Sequence, residues 1–395
     1  MSFLNRLQRF RLYRHSFTNP AEFAAELIAI PTTVAKLHGS HIFSSGFTAI
    51  NRYMVVSSCY MMLFSFMTFI TAYEMRNDSE GLIFALVTFG TGIQCLGKLC
   101  TFLYFRKNLY WMHSYTLDLY KEECNPRTKT MLMNRVFLLS VILKTMLVSY
   151  VFTSAVMIGV PVFYSWKFGE KILPFGFYVP YVNHDTWSGY LLNYVVHIIA
   201  TSYAFSASYG GDGVCIILLM SSFIQIDLLI ASLKEVNQQL EANGKDVGEL
   251  LKKIIQRHQE HLKFFRNAED TLCSNFLLTF SSLATVLVLS FYAVLVLSWY
   301  QGYVFIGFVS YQLLFCCFMG TVQEMKNEQL EREIYNFTWY KLPISQQKSL
   351  LLMLQRAQNP IPLTLIFGYV NMPTFLQIYK TIYSVFAMLL RVQEE

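Results

Sequence analysis

The chain has 395 residues, of which 54% are hydrophobic and only 14% are charged. This composition lies far from that of soluble domains and indicates a protein with several membrane spans. The net charge of +6 predicts no nucleic-acid partner, because the basic surplus falls on one side of the predicted membrane, where anionic lipids attract it.

Seven apolar runs are long enough to cross about 30 Å of hydrocarbon, which takes roughly 20 helical residues. We therefore expect an all-α membrane protein with seven transmembrane helices. The runs cover residues 53–73, 81–105, 136–163, a long stretch that begins at Gly189, 272–297, 303–322 and 373–390.

The basic residues predict the orientation of these spans. If the long stretch is one helix, 24 Lys and Arg residues lie in the segments on one side of the membrane and 4 on the other. The side rich in basic residues is the cytoplasmic one. The expected order is a cytoplasmic amino-terminal segment (1–52), six helices (53–322), a cytoplasmic anchor region (323–371), and the seventh helix with an extracellular carboxyl terminus (372–395).

The long stretch could instead be a hairpin of two spans, because Gly210, Gly211, Asp212 and Gly213 have the composition of a turn. Two spans would leave 13 basic residues inside and 15 outside, which removes the bias. We predict a single helix that continues past the membrane to about Leu233. In this topology the sequon at Asn77 lies outside and is a candidate glycosylation site.

Enzymatic chemistry has one candidate, the cluster of His258, Glu260 and His261. Two histidines three residues apart could bind a metal, but the HExxH spacing and a third ligand are missing. The surrounding Lys and Arg residues favour a solvated face of a cytoplasmic helix. We expect no catalytic residue, metal or cofactor.

Three ionisable residues lie in the inner halves of the spans: Lys98, Lys144 and Asp212. Each costs about 3 kcal/mol at the membrane centre unless it is paired or hydrated. An ion pair of Asp212 with Lys144 or Lys98 is the interpretation we favour over a role in ion passage.

A polar stripe marks the last span, where Gln377, Lys380, Thr381 and Ser384 recur at helical spacing. Polar side chains at membrane depth must face protein or water. The stripe therefore predicts either a subunit interface or the wall of a pore.

The outer halves of spans two to six carry aromatic, Met and small polar residues without charge. Such a lining suits a small apolar ligand, although an interfacial aromatic belt has the same composition. The candidate ligand-binding residues are Phe84, Val87, Thr88, Tyr150, Ser154, Met157, Ile158, Tyr190, Tyr194, His197, Ile198, Tyr292, Trp299 and Tyr303.

The carboxyl-terminal quarter of the chain resembles that of insect odorant receptors. The motifs that carry the resemblance are EREIY at 331–335, WYKLP at 339–343, LQRAQNP at 354–360, FLQIYKTIYSVFAMLL at 375–390, and an outside loop with LPF at 173–175. With the inverted seven-span layout, the resemblance extends over nearly the whole chain.

The resemblance implies a ligand-gated, non-selective cation channel in the cell membrane, expected in olfactory neuron dendrites. The family assembles as tetramers in which the last helix lines the pore, and odorant-specific subunits open with a shared co-receptor. This chain looks like the odorant-specific kind, because its connection at 234–271 lacks the co-receptor's long insertion. The implied partners are a small volatile odorant, the co-receptor and membrane lipid.

The resemblance also implies a gate in the last helix. Aligning Tyr383 with the co-receptor's tyrosine places Phe386 where that family member has its gate valine, so the expected gate comprises Val385, Phe386 and Leu389. The family's pocket in the outer halves of spans two to six coincides with the candidate lining described above.

Other seven-span classes agree less well with the sequence. A G-protein-coupled receptor would start outside, and the chain lacks an Asp-Arg-Tyr after span three and an Asn-Pro-x-x-Tyr in span seven. A transporter would show paired half-helices or inverted repeats. A gustatory-type receptor has the same architecture, but its closing signature is missing.

Overall fold

The structure is a computed structural model that describes residues 18–36, 51–122, 126–183, 185–243, 247–297, 299–365 and 368–394. Short 3-10 turns occur at Met75–Asn77 and Trp339–Lys341. The regular elements are α1 (Pro20–Lys36), α2 (Arg52–Glu74), α3 (Ser79–Tyr104), α4 (Arg106–Glu122), α5 (Pro126–Phe168), α6 (Trp187–Asn243), α7 (Gly248–Val296), α8 (Gly302–Tyr335), α9 (Ile344–Ala357), β1 (Thr364–Leu365), β2 (Gly368–Tyr369) and α10 (Met372–Glu394).

Six helices in the described part of the chain are long and apolar enough to cross a membrane: α2, α3, α5, α6, α7 and α8. The last helix, α10, has 23 residues but is not among these six. The structure thus supports an all-helical chain with several membrane spans. The seventh span remains a prediction.

Helix α6 is the centre of the bundle, and it continues without a break through Gly210–Gly213. The prediction of one helix rather than a hairpin is confirmed. Its apolar stretch is 94% buried because other helices surround it. The glycines allow these neighbours to approach closely: a Cβ on Gly211 would lie 3.0 Å from Lys98 Cδ, and a Cβ on Gly213 would lie 2.9 Å from Pro31 Cβ.

A second apolar core forms at the cytoplasmic end expected from the charge pattern. It joins the ends of α6, α7 and α8 to α9 through residues such as Leu233, Leu251 and Leu330. Ion pairs flank this core. Asp227 on α6 pairs with Arg135 on α5 at 2.8 Å and with Lys326 on α8. The long helices therefore stay packed on one another at this end of the bundle as well.

The prediction of a solvated face at His258 and His261 is wrong. Both side chains are buried, 3% and 4% exposed, although Glu260 between them faces solvent. His261 Nδ1 is hydrogen-bonded to Gln225 Oε1 at 3.0 Å. Burial lowers the pKa of His258 to about 4 and, with the nearby His258, that of His261 to about 3.

Acidification should destabilise this inner region. A histidine with a folded pKa of 3 to 4 and an unfolded pKa near 6.5 contributes its full stability above about pH 6.5 and loses it as the pH falls towards 4. The loss is roughly 1.4 kcal/mol per histidine and pH unit in that window. We expect the melting temperature of the purified chain to fall between about pH 7 and about pH 5.

The variant His261→Gln serves as the control, because glutamine can bond Gln225 without titrating. Its melting temperature should fall less on acidification than that of the wild type. A wild-type melting temperature that is flat over this range would contradict the prediction.

Candidate functional site

Four helices of the bundle meet at a buried charge network. Lys98 on α3 forms an ion pair with Asp212 on α6, with Nζ and Oδ1 2.6 Å apart, and the Lys98 side chain is only 2% exposed. The predicted pairing of Asp212 is confirmed, with Lys98 as the partner. Burying such a pair is tolerated only when the remaining lone pairs are also hydrogen-bonded.

Asp212 has two further donors that complete the network. The Tyr150 hydroxyl on α5 donates to Asp212 Oδ2, and Gln312 Nε2 on α8 donates to the same oxygen at 3.1 Å. Gln312 Nε2 also donates to the Tyr150 hydroxyl oxygen. The network therefore fixes the relative positions of α3, α5, α6 and α8 at one level of the bundle.

A cavity of about 110 Å³ lies directly beside this network. Tyr150 and Gln312 belong to both the network and the cavity wall. The volume is large enough for several water molecules or one compact organic molecule. Its lining comprises Thr91, Gln94, Cys95, Tyr150, Thr153, Ser154, Met157, Phe175, Thr201, Ala204, Phe205, Ser208, Leu283, Phe305, Phe308, Val309 and Gln312.

The lining is mainly apolar and aromatic, and several of its hydroxyl groups donate to their own helices. Thr91 donates to the Thr88 carbonyl at 2.7 Å, Thr153 to the Ser149 carbonyl at 2.9 Å, and Thr201 to the His197 carbonyl at 2.8 Å. A cavity with an apolar wall and few free polar groups is typical of a binding site for a small apolar molecule.

The loop between α5 and α6 contributes to the wall of the cavity. Phe175 lines the cavity, and the fully buried Phe177 stacks on the His197 ring with centroids 4.2 Å apart. His197 Nε2 also bonds the Phe177 carbonyl at 2.9 Å, so His197 holds the loop. A Cβ on Gly176 would overlap Phe84 Cβ and lie 2.7 Å from the Phe84 carbonyl carbon, which explains the glycine.

Three of the predicted ligand-binding residues, Tyr150, Ser154 and Met157, line the cavity. The Phe84 and Trp299 rings pack edge to face with their centroids 5.5 Å apart, and both residues belong to an apolar cluster that includes Met157. The Tyr190 hydroxyl bonds Ser165 at 3.0 Å, and the Tyr194 hydroxyl donates to the Ile158 carbonyl. These two tyrosines therefore join α6 to α5 beside the cavity.

The remaining candidates do not line the cavity. Val87 and Thr88 are buried on α3, and Tyr292 is half-buried on α7. Ile198 and Tyr303 face outward, 39% and 59% exposed, and neither lines the cavity.

Sequence reasoning missed Gln94, Gln312 and the aromatic wall of Phe305 and Phe308. The two glutamines carried a usable signal, since an amide in the middle of an apolar span must find a polar partner. The phenylalanines carried none, because every span of this chain is rich in aromatic residues.

Helix α10 packs one face on the bundle and leaves the other uncovered. Tyr379 donates to Ser310 on α8, and Phe386 contacts Phe291 on α7 with ring centroids 6.4 Å apart. The predicted pore residues Gln377, Lys380, Thr381, Tyr383, Ser384 and Val385 are exposed in the single chain, and Gln377, Thr381 and Val385 line an open groove of about 730 Å³ between α10 and α7.

Two of the predicted residues remain, Leu389 of the expected gate and the glycosylation candidate Asn77. The side chain of Leu389 lies outside the described part of the structure. Asn77 is exposed at the 3-10 turn between α2 and α3. Within the described residues, no three His, Cys, Asp or Glu side chains come together as a metal site.

Comparisons with known proteins agree on one family. A family model described as 7tm Odorant receptor matches residues 78–383. Putative odorant receptor 83c of Drosophila melanogaster is 23% identical over 363 residues, covering 83% of this chain and 90% of that protein. The olfactory receptor OR5 of Machilis hrabei in complex with eugenol has a TM-score of 0.77 at 14% identity, covering 95% of this chain and 100% of that one. A second structure of OR5 has a TM-score of 0.75.

Proposed function

The chain belongs to the insect odorant receptor family, whose members are ligand-gated cation channels, and from this premise we propose that it is an odorant-specific subunit that opens a pore together with a shared co-receptor. The family match favours this function over a G-protein-coupled or gustatory receptor. The chain would reside in the cell membrane of olfactory neuron dendrites.

The ligand would be a small volatile held in the cavity above the charge network. Tyr150, Ser154 and Met157 line this cavity, and its mainly apolar wall would stabilise a ligand by about 25 cal/mol per Å² of buried apolar area. OR5 of Machilis hrabei, which shares the fold, is in complex with eugenol. This similarity supports a small organic molecule as the ligand here.

The observation that carries the proposal is that α8 contacts both the cavity and the candidate pore helix. Phe305, Phe308 and Gln312 on α8 line the cavity, while Ser310 on the same helix accepts a hydrogen bond from Tyr379 on α10. A ligand that favours one position of α8 over another would therefore also shift α10. A ligand that bound both positions equally would shift nothing.

In the open assembly, seven spans would run with the amino terminus inside and the carboxyl terminus outside. The uncovered polar face of α10, with Gln377, Lys380, Thr381 and Ser384, would line a pore shared by four subunits. Val385, Phe386 and Leu389 would form a hydrophobic constriction that conducts ions once it fills with water. Residues 323–371 would anchor neighbouring subunits on the cytoplasmic side.

The proposal is tested by whole-cell current in cells that express this chain with and without an insect odorant co-receptor, while volatiles of several chemical classes are applied. We expect a fast cation current only when both subunits are present, and we expect it to persist when G-protein signalling is blocked. A current that disappears with that block would contradict the channel function. An equal current without the co-receptor would contradict the subunit assignment.

A further inference from the structure

Gln94 is the one member of the cavity wall whose buried amide nitrogen has no hydrogen-bond partner within the described residues. The residue is 5% exposed, so water outside the protein does not serve this donor. Buried amide donors are nearly always paired, by protein, water or ligand. An unpaired donor in the wall of a cavity therefore indicates a molecule that occupies the cavity.

The neighbouring polar groups bond elsewhere, and none of those described accepts a hydrogen bond from Gln94 Nε2. Gln312 Nε2 donates to Asp212 and Tyr150, and the Tyr150 hydroxyl donates to Asp212. The hydroxyl protons of Thr91 and Thr153 are used within their own helices. The Gln94 amide is thus left as a free N–H donor in a mainly apolar wall.

We propose that Gln94 Nε2 donates a hydrogen bond to an acceptor oxygen of the ligand, so that the cavity selects compact ketones, esters and ethers over hydrocarbons of the same shape. A carbonyl or ether oxygen satisfies this donor without adding an O–H that needs its own acceptor in the apolar wall. The inference rests on the proposed function and gives the chemical class of its ligand.

The size of the preference for ketones follows from the hydrogen bond between the Gln94 amide and the ligand oxygen. A site built to hydrogen-bond a ligand disfavours the analogue that lacks the acceptor, because the buried donor then stays unpaired. For one neutral amide donor we expect a preference of about tenfold to a hundredfold in the concentration that gives half-maximal current.

The experiment compares each carbonyl compound with its alkene isostere in cells that express this chain and the co-receptor. Suitable pairs are 2-heptanone with 2-methyl-1-heptene, and acetophenone with α-methylstyrene, in which a methylene group replaces the carbonyl oxygen. In the wild type the ketones should be at least about tenfold more potent than the alkenes. In Gln94→Leu and Gln94→Met this difference should disappear, because the ketones lose their hydrogen bond and the alkenes no longer leave a buried donor unpaired.

Thr91→Val is the matched control, because Thr91 also lines the cavity but already donates to the Thr88 carbonyl. It should leave the ketone preference within about twofold of wild type, since it removes no free donor. Surface labelling of every variant separates a loss of ligand response from a loss of folding.

Four outcomes are decisive. Equal potency of ketones and alkenes in the wild type would overturn the role of Gln94, as would an equal loss for both in the Gln94 variants. A channel that opens only to amines or hydrocarbons would overturn it too, while the proposed function would stand. Silence towards every class, with both subunits at the cell surface, would instead contradict the proposed function.

Discussion

Replacing Asp212 with asparagine should abolish odorant current and keep most of the chain from reaching the cell surface. The change leaves the ammonium group of Lys98, only 2% exposed, without its partner at 2.6 Å. Breaking a buried ion pair costs about 3 to 5 kcal/mol, because the remaining charge is uncompensated. That is a large part of the 5 to 15 kcal/mol that stabilises a typical fold.

A second substitution should relieve this defect. In the double variant Lys98→Met and Asp212→Asn, no buried charge remains, and the asparagine can still accept from Tyr150 or Gln312. We expect this variant to recover much of the surface expression and melting temperature lost in Asp212→Asn. Recovery would show that the unpaired charge, rather than the shape of the side chain, causes the defect.

The matched control is Asp118→Asn on α4. Asp118 pairs with Lys121 at 3.1 Å, but both side chains are at least 60% exposed. Exposed pairs contribute about 0 to 1 kcal/mol, so surface expression should be nearly unchanged. If Asp212→Asn reached the surface and melted like Asp118→Asn, the charge network would not hold the four helices together.

The positions of the helices and the pairing of Asp212 could be predicted from the sequence because a membrane restricts both. Long apolar runs define the spans, and an isolated charge inside one must find a partner. The choice between Lys98 and Lys144 could not be made, because it depends on how each helix is rotated. Spans that are apolar on all sides, such as α6, give no sequence signal for that rotation.

The same lack of a rotational signal limited the prediction of the cavity. Tyr150 and Tyr303 were both predicted to contact the ligand, yet the first is buried in the network and the second faces outward. At the outer ends of spans, aromatic residues occur on lipid-facing and protein-facing sides alike. At the inner end, His258 and His261 lie among exposed basic residues, and only the packing of α7 on its neighbours shows that they are buried.

The start of α10 is held on α8 by contacts that leave no room for a side chain at Gly320. A Cβ there would overlap the Val370 carbonyl oxygen and lie 2.8 Å from its carbon. One residue later, Thr321 Oγ1 accepts from the Met372 amide at 3.0 Å, and Glu324 accepts from the Asn371 side chain at 3.1 Å. Val370 itself is 1% exposed, so the segment between β2 and α10 cannot simply move into solvent.

Gly320→Ala should therefore displace the start of α10 and reduce the maximal odorant current at least about tenfold, since overpacking against backbone costs about 1 to 3 kcal/mol or more. Gly307→Ala on the same helix is the control. A Cβ at Gly307 meets nothing within 4 Å, and alanine favours a helix over glycine by roughly 0.5 to 1 kcal/mol. Currents are compared after normalisation to the amount of each variant at the surface. Equal normalised currents for the two variants would mean that the contact between α8 and the start of α10 is not needed for opening.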